Sequence, residues 1–448
     1  MTMRNSTVRA VNRLTGRWAE AAVAPGGRTG TVLTAAGLWP LLALLADGAA
    51  GPARTELSAA LGIPADRASA ASRELLTALG RVPGLQAAVG LWSDGGLPLD
   101  PGWSARLPEG ARGTLTGDPA VDGRALDRWA SERTGGLIER MPVQLTEDTR
   151  LVLASALAMR VRWLRPFRDW PSVIDDGPWS CTSVVRLLRS TSLLHRVRVA
   201  ETPAGPVTVL EVVGGGGVDV HLVLGEPEAV AGRVLAGGIA AVTRSVPSTD
   251  GFSLPWGTAG PGLDVRREAA YRPEPRLHID TVAFSVEAEH DLMDHAGLFG
   301  LETAASRVPS GHFPGISGDP LLIGSGSQAA MARFHARGFE AAAVTAFGLA
   351  GAGIAPRPRY RIRAVDLRFD RPFGFLAVQR SSRLVLAAGW VGEPLPATPE
   401  REKSQEEKEA EEAAAWAEED RDDTTLRGVF RVGPGSRRPG RGPRSGER

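Results

Sequence analysis

The chain has 448 residues, 43% of them hydrophobic and 23% charged, with a formal net charge of +1. That is the composition of a globular protein with a core of its own, and it excludes a strongly basic nucleic-acid binder and a disordered chain. Cys181 is the single cysteine, which excludes an intrachain disulfide and points to a reducing, cytoplasmic setting while leaving secretion open. The opening MTMRNSTVRAVNRLTGRWAEAA has no unbroken apolar core of the secretory kind, and no run of about twenty apolar residues is free of charges and breakers, so neither a signal peptide nor a membrane partner is expected.

Hydrophobic periodicity predicts helices in VRAVNRLTGRWAEAAV, GLWPLLALLADGA and ARTELSAALG, the last two with a glycine near the end. A strand follows in LQAAVGLW. GRALDRWASERTGGLIERM is predicted as a helix turning Trp129, Leu137 and Ile138 inward, and TRLVLASALAMRVRW as an apolar strand. VTVLEVV and VDVHLVLG flank Gly214 to Gly217 and predict an antiparallel hairpin. RLHIDTVAFSVEAEHDLMDHAGLFGL reads as a strand leading into a helix, and Arg359 to Val391 as further strands, among them FGFLAVQ and RLVLAAGWV. Helices come mostly first and strands mostly later, the order of an α+β fold. No clear linker interrupts residues 1–396, so one large domain is expected there. Residues 397–448 carry REKSQEEKEAEEAAAWAEEDRDD, which suits a solvated helix, and then an Arg/Gly/Pro segment of disordered composition.

Catalytic motifs are missing. The seven histidines include no HExxH, and His290 and His295 are five apart, on different faces of a helix, so no metal site is expected. The run from Gly214 to Gly217 lacks the GxGxxG register and a following helix, which makes it a hairpin turn rather than a phosphate cradle. GSGSQ at residues 324–328 is no nucleophile elbow, because Ser325 has Ile323 and Ser327 where GxSxG needs glycines. Cys181 has no histidine nearby in sequence and reads as a buried or idle thiol, and Glu287 with Glu289 as a solvated strand face. The chain is therefore expected not to be an enzyme and to need no cofactor.

One segment is locally ambiguous. GFEAAAVTAFGLAGAG, residues 338–353, favours helix by its alanines. With period two, however, Phe339, Ala341, Ala343, Thr345, Phe347 and Leu349 share one face and Glu340 lies on the other, as in a strand buried on one side.

GFEAAAVTA resembles the reactive-loop hinge of the serpins, a family that mostly inhibits serine proteases. Further blocks occur in the family's order: LTAAGLWPLLALLADGAAGPARTELSAALG, TRLVLASALAMRVRWLRPF, FSVEAEHDLMDHAGLFGLETA with FPGIS, and LRFDRPFGFLAVQRSSRLVLAAGWVGEP. On this basis the chain is identified as a serpin-superfamily member of bacterial type, with the resemblance running from about residue 5 to 396. The resemblance implies three β-sheets with about nine helices, a monomer, and an exposed reactive-centre loop over about 338–358. It also implies action as a suicide substrate: a serine protease cleaves the loop, which then enters the main sheet as a new strand and distorts the protease. The hinge would be Gly338, Phe339, Glu340, Ala341, Ala342, Ala343, Val344 and Thr345, and counting about fourteen positions on puts the scissile bond at Ala352 and Gly353. Alanine there favours elastase-like or subtilisin-like proteases over trypsin-like ones, although Arg357, Arg359, Arg361 and Arg363 offer tryptic sites at the wrong insertion length.

Several positions depart from the family. Phe339 stands where threonine or serine is usual; burying it contributes roughly 1.5–3 kcal/mol and overpacking costs about 1–3 kcal/mol, which leaves the sign open. Ala336 replaces an acidic residue. The sheet gate, two serines, an asparagine and a histidine in the family, aligns with Thr34, Gly37, Ser155 and Gln328, among which a bond between Gln328 and Ser155 is expected. Trp163 matches the tryptophan at the upper sheet opening. These departures keep alive an alternative, a non-inhibitory binding protein of the same fold that is cleaved as a plain substrate.

Overall fold

The computed structural model describes residues 3–24, 26–107, 111–307, 311–339 and 359–397. From the N-terminus, helix α1 (Asn5–Ala22) leads through β1 (Thr31–Leu33) to α2 (Ala35–Gly48), α3 (Gly51–Leu61) and α4 (Ala65–Leu79). Thr34 starts α2 by accepting a hydrogen bond from the Gly37 N–H, and Gly62 ends α3 in the left-handed region at φ 69°. The stretch that becomes α4 has too few large apolar residues for the sequence pattern to show it; its face is built from Ala68, Ser69, Ser72, Leu75 and Leu79.

Next come β2 (Leu85–Asp94), α5 (Pro101–Ser104), β3 (Arg112–Leu115) and α6 (Pro119–Thr134). Asp118 caps α6 with Pro119 at its first position, and Gly135 stops it at φ 60°. The helix expected to run to Met141 therefore ends seven residues earlier, and Leu137 and Ile138 lie beyond it. The apolar strand after it is broken at Arg160, into β4 (Leu151–Met159) and β5 (Val161–Arg162).

The chain continues through β6 (Arg168–Val173), β7 (Ser183–Thr191), β8 (Val197–Thr202), β9 (Gly205–Val213) and β10 (Val218–Leu224) to α7 (Ala231–Val242). Strands β9 and β10 pair antiparallel across the expected glycine turn. Then follow β11 (Ser248–Asp250), β12 (Gly257–Gly260), β13 (Leu263–Ala270), β14 (Arg276–Val282), β15 (Phe284–Asp291) and α8 (Ala296–Phe299). The last strands are β16 (Ser327–His335), β17 (Gly338–Phe339), β18 (Tyr360–Arg368), β19 (Phe373–Gln379) and β20 (Val385–Val391).

Among the described residues these make eight α-helices and four sheets. A seven-stranded sheet, β1-β20-β19-β10-β9-β8-β11, forms the centre, with α1, α2 and α7 packed against it. Its strands β10 and β19 are buried almost throughout, which explains their unbroken apolar runs. A six-stranded sheet has the order β12-β13-β18-β14-β7-β6. The remaining strands form two pieces, β15-β16-β17-β5 and β3-β2-β4. Because β4 and β5 are consecutive stretches of one chain, these pieces are two parts of one layer, and the division accounts for four sheets where three were expected.

Candidate functional site

The site is the division in that layer. Strand β4 pairs only with β2, and β16 pairs with β15 and, at its far end, with β17. Between β4 and β16 lies a cleft of about 640 Å³. Leu157, Ala158 and Met159 form one wall and Ala329 to Arg333 the other; Val32, Leu33 and Thr34 of β1 and its end line it too. Leu137 and Ile138, expected in the interior of a helix, line this cleft instead, because Gly135 turned the chain out of α6.

Both edges facing the cleft carry backbone groups without a strand partner, an arrangement that natural sheets normally avoid. The wall residues are small: Ala158, Ala329 and Ala330 leave width for another backbone.

Gly338 and Phe339 hold the upper end. After the two-residue turn Ala336–Arg337, β17 folds back on β16, with Phe339 opposite Phe334 and Gly338 opposite His335. Its other edge pairs with β5, Phe339 opposite Val161 and Gly338 opposite Arg162. Phe339 is 4% exposed and lies 6.1 Å from the Phe375 ring. The first two hinge residues are thus strand, seated between two neighbours. Gly338 is required there, because a Cβ would land on the Val161 carbonyl oxygen. Glu340, Ala341, Ala342, Ala343, Val344 and Thr345, and the bond at Ala352 and Gly353, lie outside the described residues.

Trp163 ties the turn down from above. Its backbone N–H donates to the Arg337 carbonyl at 3.0 Å and its indole Nε1 to the His335 carbonyl at 2.9 Å. The ring packs 4.9 Å from Phe334, and the Phe167 N–H donates to the Ala336 carbonyl at 2.8 Å. A tryptophan suits this place because one side chain fills the apolar space and satisfies a carbonyl.

The lower end differs from the sequence expectation in its bonding. Gln328 accepts from the Thr34 N–H at 2.9 Å and donates to the Thr34 carbonyl at 3.0 Å, while Thr34 Oγ1 donates to the Leu386 carbonyl at 2.6 Å. The expected bond to Ser155 is not formed; Ser155 is half-buried on β4, opposite Val89 of β2. Gln328 therefore joins β16 to the start of α2, and no hydrogen bond spans the cleft there. Gly37 sits between them. A Cβ on it would meet Thr34 Cγ2 at 3.4 Å and Leu157 Cβ at 3.5 Å, ordinary contact distances. Gly37→Ala is accordingly expected to raise unfolding free energy by about 0.5 kcal/mol, from the reduced freedom of the unfolded chain; urea melts of the two proteins measure it.

Sequence reasoning missed His290, whose Nε2 lies 3.2 Å from Thr31 Oγ1 and 3.0 Å from the Val32 carbonyl, with its ring 5.3 Å from Trp18. Burial is the main cause holding its pKa below the ordinary value. Only the closeness of β1 to β15 reveals that role. Cys181 is exposed rather than buried. Among the described residues no group of three His, Cys, Asp or Glu side chains converges as a metal site would require.

Comparison with known proteins supports the same architecture. The family model Serpin (serine protease inhibitor) matches residues 10–172. Serpin-Z6C of Oryza sativa subsp. japonica is 24% identical over 421 residues, spanning 85% of this chain and 95% of the relative. Serpin-Z12 of the same plant is 28% identical over 401 residues, spanning 84% and 88%. Among solved structures, human thyroxine-binding globulin in complex with thyroxine superposes with a TM-score of 0.64 at 17% identity, covering 88% of this chain and 99% of that one. Cleaved Serpin 42Da superposes at 0.63 with 16% identity, covering 88% and 97%. The layer with its open seam, the central buried sheet and these superpositions lead to one conclusion: this chain has the serpin fold.

Proposed function

We propose that this protein is a serpin of bacterial type that inhibits serine proteases as a suicide substrate, its cleaved loop entering the cleft between β4 and β16. The observation that carries the reading is the register of β17. With Phe339 opposite Phe334, the same pairing extended downward sets Glu340 against Arg333, Ala341 against Ala332, Ala343 against Ala330 and Thr345 against Gln328. Ala332 and Gln328 are buried and Arg333 is exposed. The small residues of the alternating face then turn inward, and Glu340 turns outward beside a cation. A strand of six residues spans about 20 Å, and each new backbone pair removes an unpaired edge group.

The native form is then a stored, higher-energy arrangement. With alanine at the cleavage point, the partner is an elastase-like or subtilisin-like protease in a cytoplasmic setting, engaged by a monomer. Incubation with elastase or subtilisin is expected to give an SDS-resistant complex, and the cleaved chain is expected to melt about 10 °C or more above the intact one, a gain of several kcal/mol. Absence of both results would remove the proposal.

A second reading has its own observation in favour. Phe339 already fills the top of the cleft and Gln328 is bonded to Thr34, so continued entry must displace a packed ring and pass a fixed amide. A non-inhibitory binding protein of the same fold would be cleaved with no rise in melting temperature and no complex, and the same experiment decides between the two.

A further inference from the structure

A second cavity, of about 550 Å³, shares no lining residue with the cleft. It lies where the end of α7, at Val242 and Arg244, meets the central sheet and the turn between β19 and β20. Its lining is charged, and its acids are already matched. Asp219 is held by Arg380 at 2.6 and 2.7 Å, and Glu211 by Arg196 at 2.6 Å. Asp250 accepts from the N–H groups of Phe252 and Ser253. Arg383 donates to the Val242 carbonyl, capping the helix end.

Three groups are left over. The guanidiniums of Arg198 and Arg244, both lining the cavity, have no hydrogen bond or ion pair among the described residues. His221 is 7% exposed, lines the same space, and its Nδ1 has no partner. A buried ring nitrogen without a partner carries a desolvation cost that a ligand would remove. The surplus cations also act on each other: burial, and then Arg244 and Arg198, hold the Arg383 pKa below its ordinary value.

The geometry points to a binding site for a small organic anion, whose carboxylate or phosphate group is held by Arg198 and Arg244 and whose body is oriented by a hydrogen bond with His221 Nδ1. The volume falls within the range of small-molecule sites and exceeds what a bare inorganic anion needs, so an organic body belongs to the ligand. Arginine suits the contact, since its planar fork meets either anion with two parallel donors.

Calorimetric titration of the full chain with citrate and with glycerol 2-phosphate, at low salt, tests the site and separates the two anion classes. At least one probe is expected to bind at millimolar concentration or below, and to bind at least about tenfold more weakly to Arg198→Gln/Arg244→Gln with an unchanged circular dichroism spectrum. In the unaltered protein the same probe is expected to shift the His221 imidazole resonances, which keeps the test independent of the variant's folding. Heat from neither probe, equal binding by the variant, or an unmoved His221 signal each overturns the assignment. Loop cleavage reports on the cleft alone, so failure of either proposal leaves the other standing.

Discussion

Replacing Gly338 with valine is expected to drive β17 out of the sheet and to lower unfolding free energy by about 3 kcal/mol. The new side chain would collide with the Val161 carbonyl oxygen and approach the Arg162 Cα to 3.4 Å. Both atoms belong to the backbone of a paired strand, so no flexible group can yield. Overpacking of this kind costs about 1–3 kcal/mol, and a chain that avoids it by leaving the sheet gives up the burial of Phe339, roughly 1.5–3 kcal/mol. Phe339→Ala alone should cost about 3 kcal/mol, the low end for a buried phenylalanine, because its ring borders the cleft. The two changes remove the same seating, so the double variant is expected to lose little more than the worse single one. Urea unfolding followed by tryptophan fluorescence reads this cycle, with Trp163 beside the hinge turn as reporter. Strict additivity would mean that the two residues do not share one inserted position.

Acidification is expected to cost about 3 kcal/mol of stability through His221 alone. Burial lowers its pKa to about 4, opposed in part by Glu211 and Asp219. In the unfolded chain the ordinary value is about 6.5. As pH falls the unfolded state takes up the proton first, so the contribution is complete above about pH 6.5 and is lost progressively down to about pH 4. At pH 5 roughly 2 kcal/mol should already be gone, since each unit of difference is worth about 1.4 kcal/mol. Urea melts at several pH values, compared between the parent and His221→Asn, isolate the term from the carboxylates that titrate lower. Parallel curves for the two proteins would show that this ring is not held neutral in the fold.

The register of β17 also explains why its segment looked undecided. Alanines 341 to 343 favour helix locally, and only the alternating face suggested a strand. The face fits because Phe339 is paired on both sides, by strands roughly five and 178 positions away in sequence. No local rule contains that information. The broken strand at Arg160 belongs to the same class, since β4 and β5 differ only in which distant edge accepts them.

By itself the sequence determined the α+β class, the glycine turn between β9 and β10, the paired strands β19 and β20, and the small-residue alternation beyond Gly338. Each of these rests on side-chain period or on a residue's own backbone freedom, both written within a few neighbouring positions. Tertiary structure alone decided that Gln328 bonds Thr34 and leaves Ser155 aside, that Leu137 and Ile138 line a cleft, that the layer opens between β4 and β16, and that His221 is buried beside unmatched arginines. These are contacts between residues tens to hundreds of positions apart. The physical reason is that a hydrogen-bond partner or a neighbouring charge is set by which strands close against each other, and that closure is a property of the whole packed chain.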